Sequence, residues 1–598
     1  MSERDLRGTA GRMRSGGGLL PQDIRGERVG IESIEADLRA LDSAKDHWAR
    51  TTPADRVELL RGVKDCLIAV AQGWAQTAAR KKLIPSGSPL AGEEWLSGPY
   101  ALMAACNGLM LTLQNLPRKE FIAHLPRRRL ESGQLALRVF PQSIWDRLLL
   151  SGIRAEVWMR PGVTERNLAS RSAVAYDIPA ARRLGRVALV LGAGNIASIS
   201  PLDAFQKLFI ENQVVVLKMN PVNDYLTDYL RAALRPLIER DVLRIVKGDG
   251  ALGAYLTEHA LVEEIHITGA GATHDAIVWG TGEQAGRNKA AGTPRNPRRI
   301  TSELGAVCPT IVVPGPWSVK DVAFQAEQIA TQKLHNSGFN CVACQTLILP
   351  RHWGTTGELL AQIRQVMARF GRREAYYPGS AQRVAEFARR SDAHEDIDRG
   401  ATAPACVLAD IDRGDTHWLA NHEVFGPALA VKYLDPADPE TFLERAIDFA
   451  NSTLHGTLGA NLVIHPATMR KIGKARFEQL VQRLQYGTIA INAWTGLAFL
   501  SSPCPWGGFP GGTLSEPGSG IGTVHNSLML EETERTILTA PWRPFPRGLL
   551  SLQFSLLARP AWFITHRRQH ILGELLTKFM HRPGWTKLPR IFVNALLG

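Results

Sequence analysis

Cysteine is scarce in this chain. Seven occur in 598 residues, an odd number, at Cys66, Cys106, Cys308, Cys341, Cys344, Cys406 and Cys504. So few thiols exclude a disulfide-built scaffold. The polar, Arg/Gly-rich start carries no apolar stretch of the kind a secretory leader needs, so the expected setting is cytoplasmic and reducing, with free thiols. Cys341 and Cys344 form a CxxC, but no second CxxC and no His pair at ligand spacing accompanies it, which argues against zinc; no metal is expected. Acid is scarce in one place. After Pro541 the carboxylate Glu574 stands alone against Arg543, Arg547, Arg559, Arg567, Arg568, Lys578, Arg582, Lys587 and Arg590. No apolar run in that tail reaches the roughly 20 residues that a membrane span requires. The net charge of +13 comes without any nucleic-acid module, so nucleic acid is not an expected partner.

The chain is too long for one core, so two or more domains are expected. Residues 1–30 are polar, with a Gly16-Gly-Gly18 run, and read as a disordered N-terminus. From Ile31 to about Arg118 apolar residues recur at helical spacing, as in Val57, Leu60, Val63 and Leu67. The centre then changes period. Arg186-Val-Ala-Leu-Val-Leu191, Gln213-Val-Val-Val-Leu-Lys218 and Glu264-Ile-His-Ile-Thr268 are short apolar runs, each closing on a turn and separated by amphipathic helices such as Asp224 to Ile238. That alternation predicts a parallel α/β sheet, with ligands at the carboxyl ends of its strands. A second series follows: Thr310–Val313, Leu347–Leu349, Ala428–Tyr433, Ala460–Ile464 and Thr488–Ile491. The acid-poor tail interleaves its charges with Leu549, Leu550, Phe554, Trp562, Phe563, Trp585 and Phe592. That pattern suits a helical appendage packed on the body or on another subunit, or a peripheral contact with an anionic membrane surface.

One segment carries chemistry by itself. Asn336-Ser-Gly-Phe-Asn-Cys341-Val-Ala-Cys344 places Cys341 in a small polar turn that runs straight into an apolar strand. A thiol held there is rigid yet reachable, as a nucleophile must be. Cys344, at the strand's edge, is the competing thiol and is expected to be less accessible.

Taken in order over residues 160–525, these segments resemble the aldehyde dehydrogenase superfamily. Thr301-Ser-Glu303-Leu-Gly305 is similar to its Glu-Leu-Gly-Gly segment, with Ala306 in place of the second glycine. The Cys341 turn is similar to its catalytic-cysteine segment, with Phe339 where glutamine is usual. Glu423-Val-Phe425-Gly-Pro427, Val215-Val-Leu-Lys218, Ile267-Thr-Gly269-Ala270, Ile491-Asn492 and Trp506-Gly-Gly508-Phe509 resemble further family segments. The resemblance implies an α/β chain divided into residues 31–305 (a helical N-terminal part and a Rossmann-like dinucleotide-binding domain), 306–500 (a catalytic domain) and 501–540 (a return segment to the cofactor domain and oligomerisation), with residues 541–598, read from their composition, as a basic C-terminal helical extension. It implies Cys341 as nucleophile, Glu303 as base and Asn195 with the Cys341 N–H as oxyanion donors. NAD or NADP would lie against Lys218, Gly269, Ala270, Leu304, Glu423 and Phe425, and the assembly would be a homo-oligomer. The implied activity is oxidation of an aldehyde to an acid through a thioester.

The chain also departs from that pattern. Gly192-Ala-Gly194-Asn195 lacks the usual tryptophan, Ala204 stands where a lysine is often found, and Met219-Asn220-Pro221 follows Lys218 where NAD-preferring members often carry glutamate. The first departure is similar to fatty acyl-CoA reductases of the luminescence type. A second reading is therefore reduction of an acyl thioester, or CoA acylation, with the basic loop Arg287–Arg299 meeting CoA phosphates. A third is a non-catalytic relative that acts through its tail.

Overall fold

A computed structural model describes residues 21–435, 438–551 and 553–598. Most of the segment read as disordered therefore lies outside the described residues. Residues 21–30 differ from that reading, since the first helix already spans Pro21–Arg50. The next helix, Pro53–Lys81, starts where its sequence says it should: Thr52 accepts the Asp55 N–H and Pro53 occupies the first turn. A kinked helical run, Ala91–Gln114, is long and apolar enough to cross a membrane, yet it is mostly buried against its neighbours in the protein. Past Arg118 helix gives way to three antiparallel strands, Arg127–Arg129, Leu135–Phe140 and Arg154–Met159. The sequence reading did not separate these from the helical part.

Val187–Leu191, Val214–Lys218, Leu243–Val246, Glu264–Gly269 and Arg299–Leu304 form one parallel sheet. The first two are runs of Val, Leu and Ala buried almost throughout, because helices cover both faces. The first strand, Val187–Leu191, sits inside the sheet. The chain adds two strands on one side of it and then returns to add two on the other. The turns after Leu191 and Gly269 therefore diverge around a crevice at the sheet's carboxyl edge. Gly520–Ile521 closes this sheet with a short antiparallel pairing, Gly520 opposite Glu303. The expected single helix from Asp224 to Ile238 is instead three short pieces, broken ahead of Pro236.

The second sheet has eleven strands. Seven run parallel: Thr533–Thr539, Thr488–Ile491, Gly459–Val463, Cys308–Val312, Cys344–Pro350, Ala428–Leu434 and Cys406–Asp410. His394–Ile397 adds an antiparallel edge beyond Cys406–Asp410. On the other flank Thr533–Thr539 pairs antiparallel with Arg154–Met159, which joins the N-terminal strands to this sheet.

The C-terminal extension is packed on the body. Trp542 is fully buried against Trp317, with ring centroids 4.9 Å apart. The helix Gln569–His581 lies so close to Ala91–Trp95 that a Cβ on Gly92 would come 2.4 Å from the backbone of Gln569. Arg543 and Arg547 converge on Asp321, in the first turn of the helix Val319–Leu334, at 2.6 and 2.9 Å. Burial works against the Asp321 charge, but hydrogen bonds from Arg543 and Ser318 outweigh it and hold the carboxyl below the ordinary carboxylate range. A carboxylate depressed in this way contributes stability above the unfolded pKa, and the contribution is lost as the pH falls through the folded value. Asp321→Asn is expected to cost about 2–4 kcal/mol and to speed proteolytic cleavage after residue 541. Its effect on thermal stability should fade as the pH drops below about 4. Equal cleavage rates for variant and wild type would contradict this anchoring.

Candidate active site

The crevice at the switch of strand order opens into a cleft of about 1020 Å³. On one side lie Leu191 to Asn195 and Lys218. Across from them lie Gly269 and Ala270, and at the inner end Glu303, Leu304, Gly305, Cys341, Glu423 and Phe425. All nine residues singled out from the sequence therefore line one cavity.

Local backbone geometry places the thiol. The helix Val319–Leu334 ends at His335, and Asn336, Ser337 and Gly338 follow with φ of 52°, 54° and 80°. Three left-handed residues in succession turn the chain sharply, at a strain that Ser337 in particular would not adopt unaided. Gly338 is required by space as well, since a Cβ there would meet the Gly426 carbonyl oxygen at 2.6 Å. The turn is held from outside. Glu93, buried in the N-terminal helical part, accepts the Asn336 N–H at 3.1 Å and pairs with the buried Arg373 at 2.5 Å. Arg373 in turn donates to the Ser337 hydroxyl at 2.8 Å. The Asn336 and Asn195 amides both donate to the Phe339 carbonyl, at 2.9 and 3.0 Å. The Tyr376 hydroxyl lies 3.0 Å from Asn336 Oδ1 and 3.1 Å from the Asn195 carbonyl.

The Cys341 thiol points at Glu303, with Sγ 3.2 Å from Oε1. Burial pushes the Glu303 carboxyl up to about 7, and the buried Asp203 charge adds to it, against the opposing influence of Trp506 and Cys341. Burial likewise raises the Cys341 thiol well above its ordinary value, and the Glu303 charge raises it further. Glu423 is also lifted to about 8, mainly by burial, with Lys333 opposing. Cys344 is different. It is fully buried in its strand, its thiol turned to the Thr346 carbonyl at 3.7 Å, with its pKa pushed up to about 11 by burial. Of the two thiols only Cys341 reaches the cleft.

The other wing suits an elongated anionic ligand with hydroxyl groups. Lys218 ends its strand at the cleft wall. The helix Gly271–Trp279 begins behind Ala270 with no side-chain cap, and a Cβ at Gly271 would meet nothing within 4 Å, so its first N–H groups are open to a phosphate. Glu423 Oε1 is buried without a hydrogen-bond partner among the described residues, while Oε2 presses on Gly305, where a Cβ would lie 1.8 Å away. Phe425, at φ 48°, stacks in an aromatic group with Phe339 and Tyr377. These features fit a dinucleotide. The expected basic loop differs from its reading. Residues Gly282–Ala291 are helical, Arg295 and Arg299 are paired with Glu258 and with Glu211 and Glu264, and Arg298 is bound to backbone carbonyls.

Residues 203–380 match the model of the aldehyde dehydrogenase family. Over that segment the chain is similar to the aldehyde dehydrogenase family. Solved structures agree on the fold. An NAD-dependent aldehyde dehydrogenase from Sinorhizobium meliloti is 17% identical, with 86% of this chain and 88% of that one covered, at a TM-score of 0.54. An NADP-dependent enzyme from E. coli is 17% identical over 85% and 90%, at 0.56. An NADP-dependent glyceraldehyde-3-phosphate dehydrogenase from Bacillus halodurans C-125, complexed with NADP, is 17% identical over 85% and 91%, at 0.55. Glu93, Arg373, Tyr376 and Asp203 are residues around the cleft that the sequence reading missed. They lie 110 or more residues from Cys341 or in segments without a motif, and only the cue of buried charge could have drawn attention to them.

Replacing Glu303 with Gln removes the second-largest cause of the raised Cys341 pKa. The pH midpoint for alkylation of Cys341, followed by mass spectrometry, should therefore move down. A midpoint that stays or rises would mean that the Glu303 charge does not govern the thiol.

Proposed function

We propose that this protein oxidises an aldehyde to a carboxylic acid with NAD or NADP, through a thioester on Cys341. The observation that carries the reading is the 3.2 Å approach of the Cys341 thiol to Glu303 at the inner end of the dinucleotide-shaped cleft. Lys218, Gly269, Ala270, Leu304, Glu423 and Phe425 are the residues that would hold the cofactor, and when bound it supplies the hydride acceptor. Cys341 adds to the carbonyl carbon as Glu303 takes the thiol proton. The oxyanion is met by the Cys341 N–H and by Asn195; an amide nitrogen has two N–H groups, so one can stay on Phe339 while the other serves the oxyanion. Once the carbon is at the thioester level and Glu303 has passed the first proton to solvent, Glu303 draws a proton from water, the hydroxide adds, and the acid leaves as the Cys341 sulfur departs as thiolate and takes that proton back from Glu303.

Reduction of an acyl thioester is less well supported. Glu303 beside the sulfur favours hydrolysis, and three of the arginines invoked for CoA phosphates, Arg295, Arg298 and Arg299, are engaged by groups of the chain itself. A cytoplasmic enzyme with a peripheral hold on anionic membranes fits the tail, where Leu550, Phe554 and Trp585 are exposed among basic side chains, at 76%, 78% and 63%. Sedimentation with anionic vesicles should carry the full chain down, and substitution of those three residues by serine should release it. Equal recovery of both proteins in the supernatant would refute the contact.

A panel of aldehydes with NAD and NADP, run with and without CoA, tests the main reading. Cofactor reduction should need no CoA and should vanish in Cys341→Ala. In Glu303→Gln, where the thiol proton must pass to solvent instead, a slowed burst of reduced cofactor should still precede an even slower release of acid. For the wild type, steady-state turnover should fall below about pH 7 as Glu303 gains its proton, a limb that Glu303→Gln should lack. Equal steady-state rates for Glu303→Gln and wild type would rule out this base.

A further inference from the structure

Cys341 borders two cavities. One is the dinucleotide cleft. The other, which shares Ile199 with the first, is a chamber of about 50 Å³ lined by Leu96, Ile196, Trp494, Phe499, Trp506 and Trp562. No Asp, Glu, Lys or Arg is among its lining residues. The ionisable group nearest to a charge is His335, which burial keeps below its ordinary pKa and therefore neutral at pH 7. One wall comes from the C-terminal extension, outside the matched family segment.

Resting on the aldehyde reading above, we propose that this chamber takes the body of the substrate, that the substrate is an uncharged, apolar aldehyde, and that Trp562 of the C-terminal extension sets how large that body can be. The stretch that carries Trp562 is fastened to the helix leading into the catalytic turn. Arg559 pairs with Glu327 at 3.1 Å, and the Thr565 hydroxyl donates to the same carboxylate at 2.8 Å. The Ile564 N–H donates to Thr331 Oγ1 at 3.2 Å, and Phe563 stacks on Phe324 with centroids 5.5 Å apart. The helix Gln569–His581 braces Ala91–Trp95, immediately ahead of Leu96 and Ser97 in the chamber wall. The extension thus closes the chamber directly through Trp562 and indirectly through Leu96. Such walls hold no lysine or arginine to offset the desolvation of a carboxylate or phosphate on the substrate, whereas each methylene buried there is worth about 4-fold in binding.

The test compares straight-chain aldehydes with ω-carboxy aldehydes of equal length on the full chain, in wild type, Trp562→Ala and Trp562→Phe. Wild type should favour the uncharged member by about 100-fold in kcat/KM. Trp562→Ala should shift the ratio of kcat/KM for long over short aldehydes upward about 10-fold, with Trp562→Phe between the two. Equal rates for charged and uncharged aldehydes, or an unchanged length ratio in Trp562→Ala, would overturn the proposal. A second measurement needs no hydride transfer. Cys341 should be alkylated faster by N-hexyl iodoacetamide than by iodoacetate, relative to the rates of a free thiol, and Trp562→Ala should alter that preference. If no aldehyde is oxidised but this labelling preference holds, the chamber stands and the proposed reaction falls. If aldehydes are oxidised and neither selectivity appears, the chamber assignment falls and the reaction stands.

Discussion

The turn that carries Cys341 depends on a buried ion pair, Glu93 with Arg373. The two residues are 280 positions apart, and neither belongs to the turn, yet between them they hold the Asn336 N–H and the Ser337 hydroxyl. A buried ion pair is a poor source of net stability, because both charges lose their water. Its use here is geometric. Two successive non-glycine residues are kept left-handed, and the thiol four residues after Ser337 is brought into the cleft. The pair also fastens the N-terminal helical part to the second sheet at the point where chemistry is expected, so that part is a structural component of the site.

The electrostatics around the sulfur have an unusual balance. A nucleophilic cysteine commonly owes its reactivity to neighbouring positive charge. This one faces two carboxyl groups, the buried Glu303 and the partly buried Glu423, and all three groups are shifted toward their neutral forms. The pocket therefore keeps the sulfur as a thiol with a carboxyl group already in contact. A thiol kept in this way is protected from oxidation, which proceeds through the thiolate.

Much of this was legible in the sequence, and for identifiable reasons. Val214–Lys218 and Cys344–Pro350 are apolar runs bounded by turns, and strands buried on both faces have that signature. Cys341 and Glu303 stood out because small, polar and glycine residues surround them. Other features carried no such signal. Arg127–Arg129 is a strand with three arginines, stabilised by Glu156 and Glu478 from distant segments. The Arg287–Arg299 stretch looked like free basic surface because the acids that neutralise it, Glu211, Glu258 and Glu264, are far along the chain. Trp562 looked like one aromatic in an amphipathic tail, and only tertiary packing brings it beside the sulfur. Local pattern thus disclosed many of the strands and drew attention to the Cys341 turn, while long-range charge and packing decided what surrounds them.

The strand Thr533–Thr539 has a consequence for biosynthesis. It is the seam between Thr488–Ile491 and Arg154–Met159, so the larger sheet stays split into two pieces, each with a bare hydrogen-bonding edge, until almost nine-tenths of the chain has left the ribosome. Closure over nearly 380 residues of intervening sequence is slow, and open edges of this kind are where growing chains pair with the wrong neighbour. The nascent protein therefore has its greatest need of a chaperone in the interval before residue 533 emerges.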